Sequence, residues 1–437
     1  MTVAPTQPNE PIHQAEPASP DSLWHHADFL KFWFGEGLSL FGTQITNLAL
    51  PLTAVLIFNA SPQQVGLLRF LQLVPYLGLA LVFGVWVDRV RRKPIMMVAN
   101  LGRMVLIALI PLLAHYHHLN IVSLLVLACA IGVFSVLFDV SWMSFVPALV
   151  RDPKHYVEAN QKMGTTYSAA DVAGPGIAGL LISALTATTA LVFDAFSYLI
   201  SLLTLIWIRT PEPPPKPAGE PRHLGRELVE GLRFVFGHKI LRPLALVAPF
   251  CNFSLIIVWT MFLLYGVRDK GMSAAEIGLV FSASSVGGLV GATVSKAVIK
   301  RFPIGPTYAV SMSAIFVGPL LIPLAGGPRV VMIAMFVAAF FVSYTGLGIA
   351  NVVMISLRQT CTPQPLMGRM NAAFRTVLFG GGSLGGLVGG FVAAGLGLHT
   401  GLTIVAILSS LMVIPLALLS VSRLQKLPEP PTVPATS

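Results

Sequence analysis

Long apolar runs recur along the chain, and a lipid bilayer explains their length. A helix that crosses the hydrocarbon core needs about 20 residues at a rise of about 1.5 Å per residue. The runs of this length are residues 31–58, 64–87, 94–115, 120–147, 160–184, 188–208, 242–266, 276–298, 305–325, 330–357, 368–396 and 400–420. The pattern therefore predicts an all-α integral membrane protein with twelve transmembrane helices.

A break in the middle of the pattern divides the spans into two sets of six. The first bundle is predicted over residues 31–208 and the second over residues 242–420. The linker between them, residues 209–241, begins with the Pro-rich stretch TPEPPPKPAGEPRH, which is typical of a semi-rigid spacer. It continues with RELVEGLRFVFGH, whose apolar residues at helical spacing predict an amphipathic helix on the membrane surface.

The chain ends are polar and rich in Pro. Residues 1–30 and 421–437 are therefore predicted to be disordered tails. No Lys or Arg precedes Lys31, so a cleaved signal peptide with a basic start is not expected.

The two sets of spans show a weak internal repeat. At an offset of 212 residues, Ser61, Gly66, Asp88 and Arg89 align with Ser273, Gly278, Lys300 and Arg301. At an offset of 211, Asn160, Gly174 and Gly179 align with Asn371, Gly385 and Gly390. Because the matches fall at corresponding places in both sets, we expect two six-helix bundles related as parallel repeats.

Composition agrees with a membrane protein and adds an orientation. The chain is 55% hydrophobic and 11% charged, with a mean hydropathy of +0.78, whereas soluble domains carry about 25% charged residues. Only Arg268, Lys270 and Arg329 fall in the connections on one side, whereas the connections on the other side and the C-terminal tail hold many Lys and Arg residues. This bias predicts that both termini are cytoplasmic. It also accounts for the net charge of +10 without a nucleic-acid partner.

Two motifs carry a family resemblance. After the second span the sequence reads GVWVDRVRRKP, and the fifth span contains ADVAGPGIAG. Through Gly84, Asp88, Arg89, Arg92 and Lys93, the first resembles the cytoplasmic signature of the major facilitator superfamily. Through Gly174, Pro175 and Gly179, the second resembles that family's antiporter signature. The junctions PALVRDPKHYVEAN and TPQPLMGRMNA also look like those of its bacterial drug and siderophore exporters.

Asp88 is the acid of the first motif, and it stands at a helix end among four cations. A carboxylate there can pair with Arg89 or Arg92, or face the next bundle near Arg369. We expect it to lock the cytoplasmic gate, although the cations alone would also fix topology.

Charged residues within the predicted spans mark functional positions, because a charge at the bilayer centre costs about 2.5–3.5 kcal/mol. Asp171 lies near the middle of the fifth span and is the leading proton-binding candidate; a structural ion pair is the alternative. Arg103 and Asp139 lie at equal depth in antiparallel neighbours, so we expect an ion pair between them. Glu36, near the start of the first span, is expected to line the inner cavity or to reach the surface.

The resemblance also implies a central cavity formed by spans 1, 4, 7 and 10. The side chains there that can line it are Gln44, Asn47, Phe138, Trp142, Asn252, Trp259, Tyr344 and Asn351. Aromatic rings with a few amides suit a bulky amphipathic small molecule, although each ring could equally pack against lipid or protein.

These features together predict a secondary active exporter in the plasma membrane, driven by protons and working by alternating access as a monomer. An importer or a lipid flippase of the same fold is the alternative, and a channel or a membrane-embedded enzyme is a different class. No catalytic motif, metal site or cofactor is expected, because the His residues and the three Cys are scattered and the chain has no GxxxxGK[ST] loop for ATP.

Overall fold

The computed structural model describes residues 22–150, 152–212 and 224–428, and the regular elements within these ranges are helices. The helices are α1 Ala27–Leu56, α2 Pro62–Asp88, α3 Arg92–His115, α4 Ile121–Val150, α5 Tyr156–Ala184, α6 Ala187–Trp207, α7 Leu224–Gly237, α8 Leu241–Arg268, α9 Ala274–Arg301, α10 Ile304–Val317, α11 Leu321–Leu324, α12 Arg329–Cys361, α13 Met367–Leu396, α14 Leu398–Leu411 and α15 Val413–Leu418.

Eleven helical segments in the described part are long and apolar enough to cross a membrane, if α10 with α11 and α14 with α15 count as one segment each. The twelfth predicted span is α5. It has 29 residues, which is enough to span, but it is the most polar of the set and packs along α1 and α9. The predicted all-α membrane fold is confirmed.

Two of the predicted continuous spans are broken near proline. α10 ends at Val317, and a 3-10 turn over Gly318–Leu320 leads into α11. Pro319 in that turn has no N–H group to continue the α-helical hydrogen bonds. α14 likewise gives way to α15 near Met412, three residues before Pro415.

The six-helix halves pack against each other through equivalent helices. In the N-terminal half α2 packs along α4, and in the C-terminal half the equivalent α9 packs along α12. Across the halves, α2 contacts α13 and α5 contacts α9, so the second helix of each half meets the fifth helix of the other. We call the end of the bundle that holds the α6–α8 connection the linker side, and the opposite end the far side.

The starts of α2 and α9 show the repeat at atomic detail. The backbone N–H of Gln64 donates to the Ser61 hydroxyl at 3.3 Å, and the N–H of Ser61 donates to the Gln64 side chain at 2.8 Å. Ser273 and Glu276 make the same reciprocal pair at 3.2 Å and 2.8 Å. Each capping box supplies partners for N–H groups that a helix start leaves open. The 212-residue offset therefore joins equivalent helix starts.

The halves contact each other closely at the far side, where glycines replace side chains. A Cβ on Gly66 would collide with the backbone of Gly386 and Gly390, and a Cβ on Gly278 would collide with the backbone of Pro175 and Gly179. Glycine at these positions lets two helix backbones touch, as in other membrane bundles. Arg268 at the end of α8 also donates to the Ala60 carbonyl across the same side.

The linker helix α7 packs on the C-terminal half. Arg369 at the start of α13 forms an ion pair with Glu230 at 2.7 Å, and the Arg369 backbone leaves room only for glycine at Gly231. Val235 is fully buried against α8 and its neighbours. Just after α7, His238 Nδ1 accepts N–H bonds from Ile240 and Leu241. Burial lowers the pKa of His238, which keeps the imidazole neutral and able to accept them.

Two predicted domain boundaries need correction. α1 begins at Ala27 rather than residue 31. Leu23 before it is buried in the hydrophobic core of the N-terminal half, and its N–H donates to Glu158 at 3.2 Å. At the other end, a 3-10 turn over Ser420–Arg423 packs Val421 into the C-terminal core. Tail ends 1–21 and 429–437, and the Pro-rich stretch 213–223, lie outside the described residues.

Candidate functional site

Two adjoining cavities lie in the middle of the bundle. The first, of about 580 Å³, is bounded by α1 and α5 from one half and by α8, α9 and α12 from the other. The second, of about 560 Å³, is bounded mainly by helices of the N-terminal half. Four side chains border both cavities: Gln44, Asn47, Arg69 and Asp171. These four polar groups form the boundary between a cavity shared by both halves and a cavity of one half.

Asp171 is held at this boundary by a side-chain contact. Gln44 Nε2 on α1 donates to Asp171 Oδ1 on α5 at 2.7 Å. Gly174, less than one helical turn along α5, has no side chain, and a Cβ there would collide with the Gln44 side chain. The signature glycine therefore makes room for the residue that contacts Asp171. Pro175 follows directly and borders the first cavity. Because proline has no backbone N–H, the Asp171 carbonyl lacks its usual α-helical donor.

Asp139 lies in the second cavity, but the ion pair expected with Arg103 is wrong for this structure. Asp139 Oδ2 instead accepts a hydrogen bond from the Tyr76 hydroxyl at 2.7 Å. The Arg103 guanidinium lies between the rings of Phe138 and Tyr198, at 4.1 Å and 4.3 Å from their centroids, and donates to Asn100. Phe138 and Asp139 are consecutive, so an α-helix points them about 100° apart. Only Phe138 faces Arg103.

Glu36 also borders the second cavity and is almost completely buried, with 4% of its surface exposed. Its Oε2 atom has no hydrogen-bond partner among the described residues. A buried carboxyl oxygen without a partner is costly unless the group is neutral or meets a ligand. The second cavity therefore brings Glu36, Asp139 and Arg103 together without pairing them.

Arg69 and Asp194 are two further charged residues within the spans, and they have different partners. Asp194 is fully buried and accepts from Thr46 and from Ser197, the latter at 3.1 Å. Arg69 lies over the Trp259 ring of the opposite half at 4.8 Å and donates to Gln72 at 3.2 Å. Asp194 is thus a structural acid between α1 and α6, while Arg69 provides a cation to both cavities.

Most of the predicted cavity side chains face a cavity. Those that border the first cavity are Gln44, Asn47, Asn252, Trp259, Tyr344 and Asn351. Trp142 borders the second. Phe138 is the exception, because it is 1% exposed beneath Arg103. Trp259 stacks on Phe281 at 5.3 Å and so gives the first cavity an aromatic wall.

The signature loop between α2 and α3 contacts a residue that the sequence did not single out. The Glu212 carboxylate accepts the backbone N–H groups of Arg92 at 2.8 Å and Lys93 at 3.1 Å, and it pairs with the Arg92 guanidinium at 3.3 Å. It thereby caps the start of α3, where a negative charge is favourable. A built Cβ on Gly84 meets nothing within 4 Å. The side chain of Asp88, the predicted gate, lies outside the described part of the structure.

Two further residues belong to the site, and sequence reasoning missed the first of them, Tyr76. The Tyr76 hydroxyl on α2 donates to Asp139, and the Tyr76 ring stacks on Phe379 of the other half, at 4.6 Å between centroids. Arg375 on α13 borders the second cavity, although it comes from the C-terminal half. The polar atom of Tyr76 in an apolar span was the available signal, since a buried tyrosine hydroxyl usually has a partner.

This arrangement of long apolar helices around a central polar cavity defines a multi-pass membrane protein. A family model described as Major Facilitator Superfamily matches residues 32–386. The chain therefore belongs to the major facilitator superfamily, and the family and fold are those of transporters.

Relatives with assigned roles include two exporters. The chain is 27% identical to the multidrug efflux pump Tap of Mycolicibacterium fortuitum over 370 residues, which is 82% of this chain and 87% of that protein. It is 25% identical to the enterobactin exporter EntS of Citrobacter koseri over 426 residues, or 94% and 95% of the two chains. The resemblance to bacterial exporters of this superfamily is confirmed.

Solved structures agree with the fold. The nucleoside transporter NupG matches 90% of this chain and 98% of its own with a TM-score of 0.73 at 12% identity. A bacterial homologue of the iron transporter ferroportin matches 89% and 98% with a TM-score of 0.67 at 15% identity. At these identities the likeness shows the fold and nothing about substrate.

Proposed function

We propose that this protein is a proton-driven exporter of hydrophobic and amphipathic small molecules. Asp171 carries the proposal, because it is an acid that borders both cavities and contacts α1 through Gln44. A group in that position can exchange a proton and respond to a substrate in the cavity shared by the halves. Glu36 and Asp139, in the adjoining cavity, are further proton acceptors.

The substrate class follows from the walls of the first cavity. Trp259, Phe281 and Tyr344 offer aromatic surface, and Asn252 and Asn351 offer amide donors and acceptors. Such a lining favours an apolar body with a few polar groups. The printed roles of the relatives, a multidrug efflux pump and an enterobactin exporter, support export rather than uptake.

The direction also depends on orientation. In the proposed orientation the linker side faces the cytoplasm of a cell whose plasma membrane holds the protein, consistent with the basic residues on that side. The halves close on each other at the far side through Gly66 and Gly278. The structure then represents the inward-facing carrier, ready to load from inside. Alternating access would open the far side while the signature loop, with Asp88, closes the linker side.

Uptake into sealed vesicles tests the proposal. Purified protein is reconstituted in an inside-out orientation, a fluorescent amphipathic dye is added outside, and an acidic lumen is imposed. We expect dye accumulation that stops when nigericin collapses the pH gradient. Accumulation that is the same with and without nigericin would remove proton coupling. Accumulation only when the gradient is reversed would assign import, and movement of labelled lipid alone would assign a flippase.

A further inference from the structure

A third cavity lies between the halves on the linker side. It measures about 970 Å³ and is bounded by α2 and α4 of the N-terminal half and by α8, α12 and α13 of the C-terminal half. We call it the vestibule. Tyr76, Met143 and Arg375 border both the vestibule and the second cavity, so the two spaces adjoin. A molecule that reaches the central cavities from the linker side meets the vestibule first.

The charges of the vestibule are of one sign. Arg358 and Arg375 border it, and no Asp or Glu is among the described residues that do so. Arg358 Nε contacts Met370 Sδ at 3.3 Å, and its guanidinium lies 4.3 Å from the Phe374 ring centroid and donates to Asn371. Among the described carboxylates, none forms an ion pair with Arg358.

Arg375, like Arg358, is held by sulfur and ring contacts. Its Nη1 lies 3.7 Å from Met143 Sδ, and its guanidinium lies 5.8 Å from the Phe379 ring centroid. It too forms no ion pair with a described carboxylate. Guanidinium groups present planar pairs of donors that match carboxylates and similar anions. Two of them, held by sulfur and ring contacts, retain donors for an incoming anion.

The remaining wall suits an apolar body. Four methionines from both halves border the vestibule: Met143 on α4, Met354 on α12, and Met367 and Met370 at the start of α13. Methionine side chains are flexible and polarizable, and they adapt to ligands of different shape. The vestibule thus combines an adaptable apolar surface with a cationic pair.

We propose that the vestibule is a binding site for amphipathic organic anions, meaning molecules with a carboxylate, sulfonate or phenolate on an apolar body. The site deepens the proposed function, since it assumes that substrate loads from the linker side. Arg358 and Arg375 bind the anionic group, and the methionines contact the body. Arg375, which also borders the second cavity, then leads the anion toward the central cavities.

Binding of a matched pair of probes tests the proposal without any gradient. Pyrenebutyrate and its uncharged amide differ in charge but hardly in shape. In nanodiscs of phosphatidylcholine we expect the wild-type protein to bind the acid about tenfold more tightly, as charge-assisted hydrogen bonds allow. Arg358→Gln and Arg375→Gln should each reduce this preference, the double variant should abolish it, and Arg→Lys at either position should keep part of it.

Two variants serve as controls. Arg301→Gln removes an exposed cation at the linker-side end of α9, outside the vestibule, and should leave the preference unchanged. Gln359→Glu adds an acid to the vestibule wall without removing an arginine, so it should lower the preference even if the arginine variants fold poorly. Equal affinity of the wild type for both probes, or a preference that survives Gln359→Glu and the double arginine variant, would overturn the proposal.

One further arm distinguishes a soluble ligand from a lipid. If phosphatidylglycerol in the nanodiscs removes the preference for the acid, the vestibule holds lipid headgroups and the assignment to soluble anions is overturned. Because binding is measured at equilibrium, failure here would leave proton-driven export untouched. Failure of transport with intact acid preference would remove the proposed function and leave the binding site.

Discussion

The two halves share a fold but not a distribution of charge. The N-terminal spans hold Glu36, Asp139, Asp171 and Asp194. Residues 242–420 contain only two acids, Asp269 and Glu276, and both lie at the far-side end of their helices. The charges that the C-terminal half adds to the cavities are the guanidinium groups of Arg358 and Arg375. The contrast favours a division of labour in which one half exchanges protons and the other supplies apolar surface and cations for substrate.

Neutralising the boundary acid should have the largest effect. Moving a charge into the membrane costs about 2.5–3.5 kcal/mol, so loss of a protonation step can change a conformational equilibrium by about 100-fold. We expect Asp171→Asn to lower gradient-driven dye transport to near background while the protein still folds. Glu276→Gln, an acid-to-amide change at the far-side end of α9 in the other half, should retain transport. Equal loss in both variants would contradict the division between halves.

Adding a side chain at the far-side contact should have the next largest effect. A side chain at Gly278 would collide with the backbone of α5 near Pro175 and Gly179, and overpacking costs about 1–3 kcal/mol. Gly278→Val should therefore disfavour the closed far side. Spin labels on the far-side ends of α5 and α9 should report a longer distance by double electron–electron resonance. Gly78→Val, where a Cβ meets nothing within 4 Å, should leave it unchanged.

Loss of a single hydroxyl between the halves should have a smaller effect. Tyr76→Phe removes the hydrogen bond to Asp139 but keeps the stack on Phe379. A hydrogen bond to a charged group contributes about 1.5–3 kcal/mol, part of which water in the cavity can replace. We expect dye transport to slow about tenfold or less, with a shifted pH profile. A Phe379→Leu variant with the same shifted profile would show that stacking, rather than the hydroxyl, is responsible.

The smallest effect is expected for a change within the capping box of α9. Glu276→Gln gives α9 the residue that α2 has in the equivalent position, Gln64, so the capping box is kept. The bidentate pair with Arg329, at 2.8 Å and 2.6 Å, is lost, and pairs near the surface typically contribute about 0–1 kcal/mol. We expect the Tm to fall by about 2 °C at most. A Ser273→Ala variant, which breaks the cap itself, should lower it further.

The sequence predicted the fold well because apolar run length and basic connections are direct consequences of the bilayer. The repeat was visible at Ser61 and Ser273 because helix caps need specific side chains. The start of α1 was set too late, since the segment before residue 31 is held by long-range contacts such as the hydrogen bond from Leu23 to Glu158, a residue more than 130 positions away in the chain.

The site was less predictable, because it depends on which way each side chain turns. Depth along a span placed Arg103 and Asp139 at one level, but rotation about α4 directs Asp139 to Tyr76. Arg69 could not be assigned from one helix, since Trp259 of the other half completes its surroundings. Glu212 lies at the start of the Pro-rich linker, whose composition does not indicate a contact with the start of α3. Spacing along the sequence predicts how deep a side chain lies in the membrane, whereas its contact partners depend on how the helices pack.

Proton release on substrate binding tests the central claim most directly. The protein in weakly buffered detergent solution is mixed with an amphipathic ligand, and a pH indicator records protons released or taken up. The account predicts release from the wild type, no release from Asp171→Asn at equal ligand occupancy, and unchanged release from Glu276→Gln. Release that persists in Asp171→Asn would contradict the assignment of proton exchange to this acid of the N-terminal half.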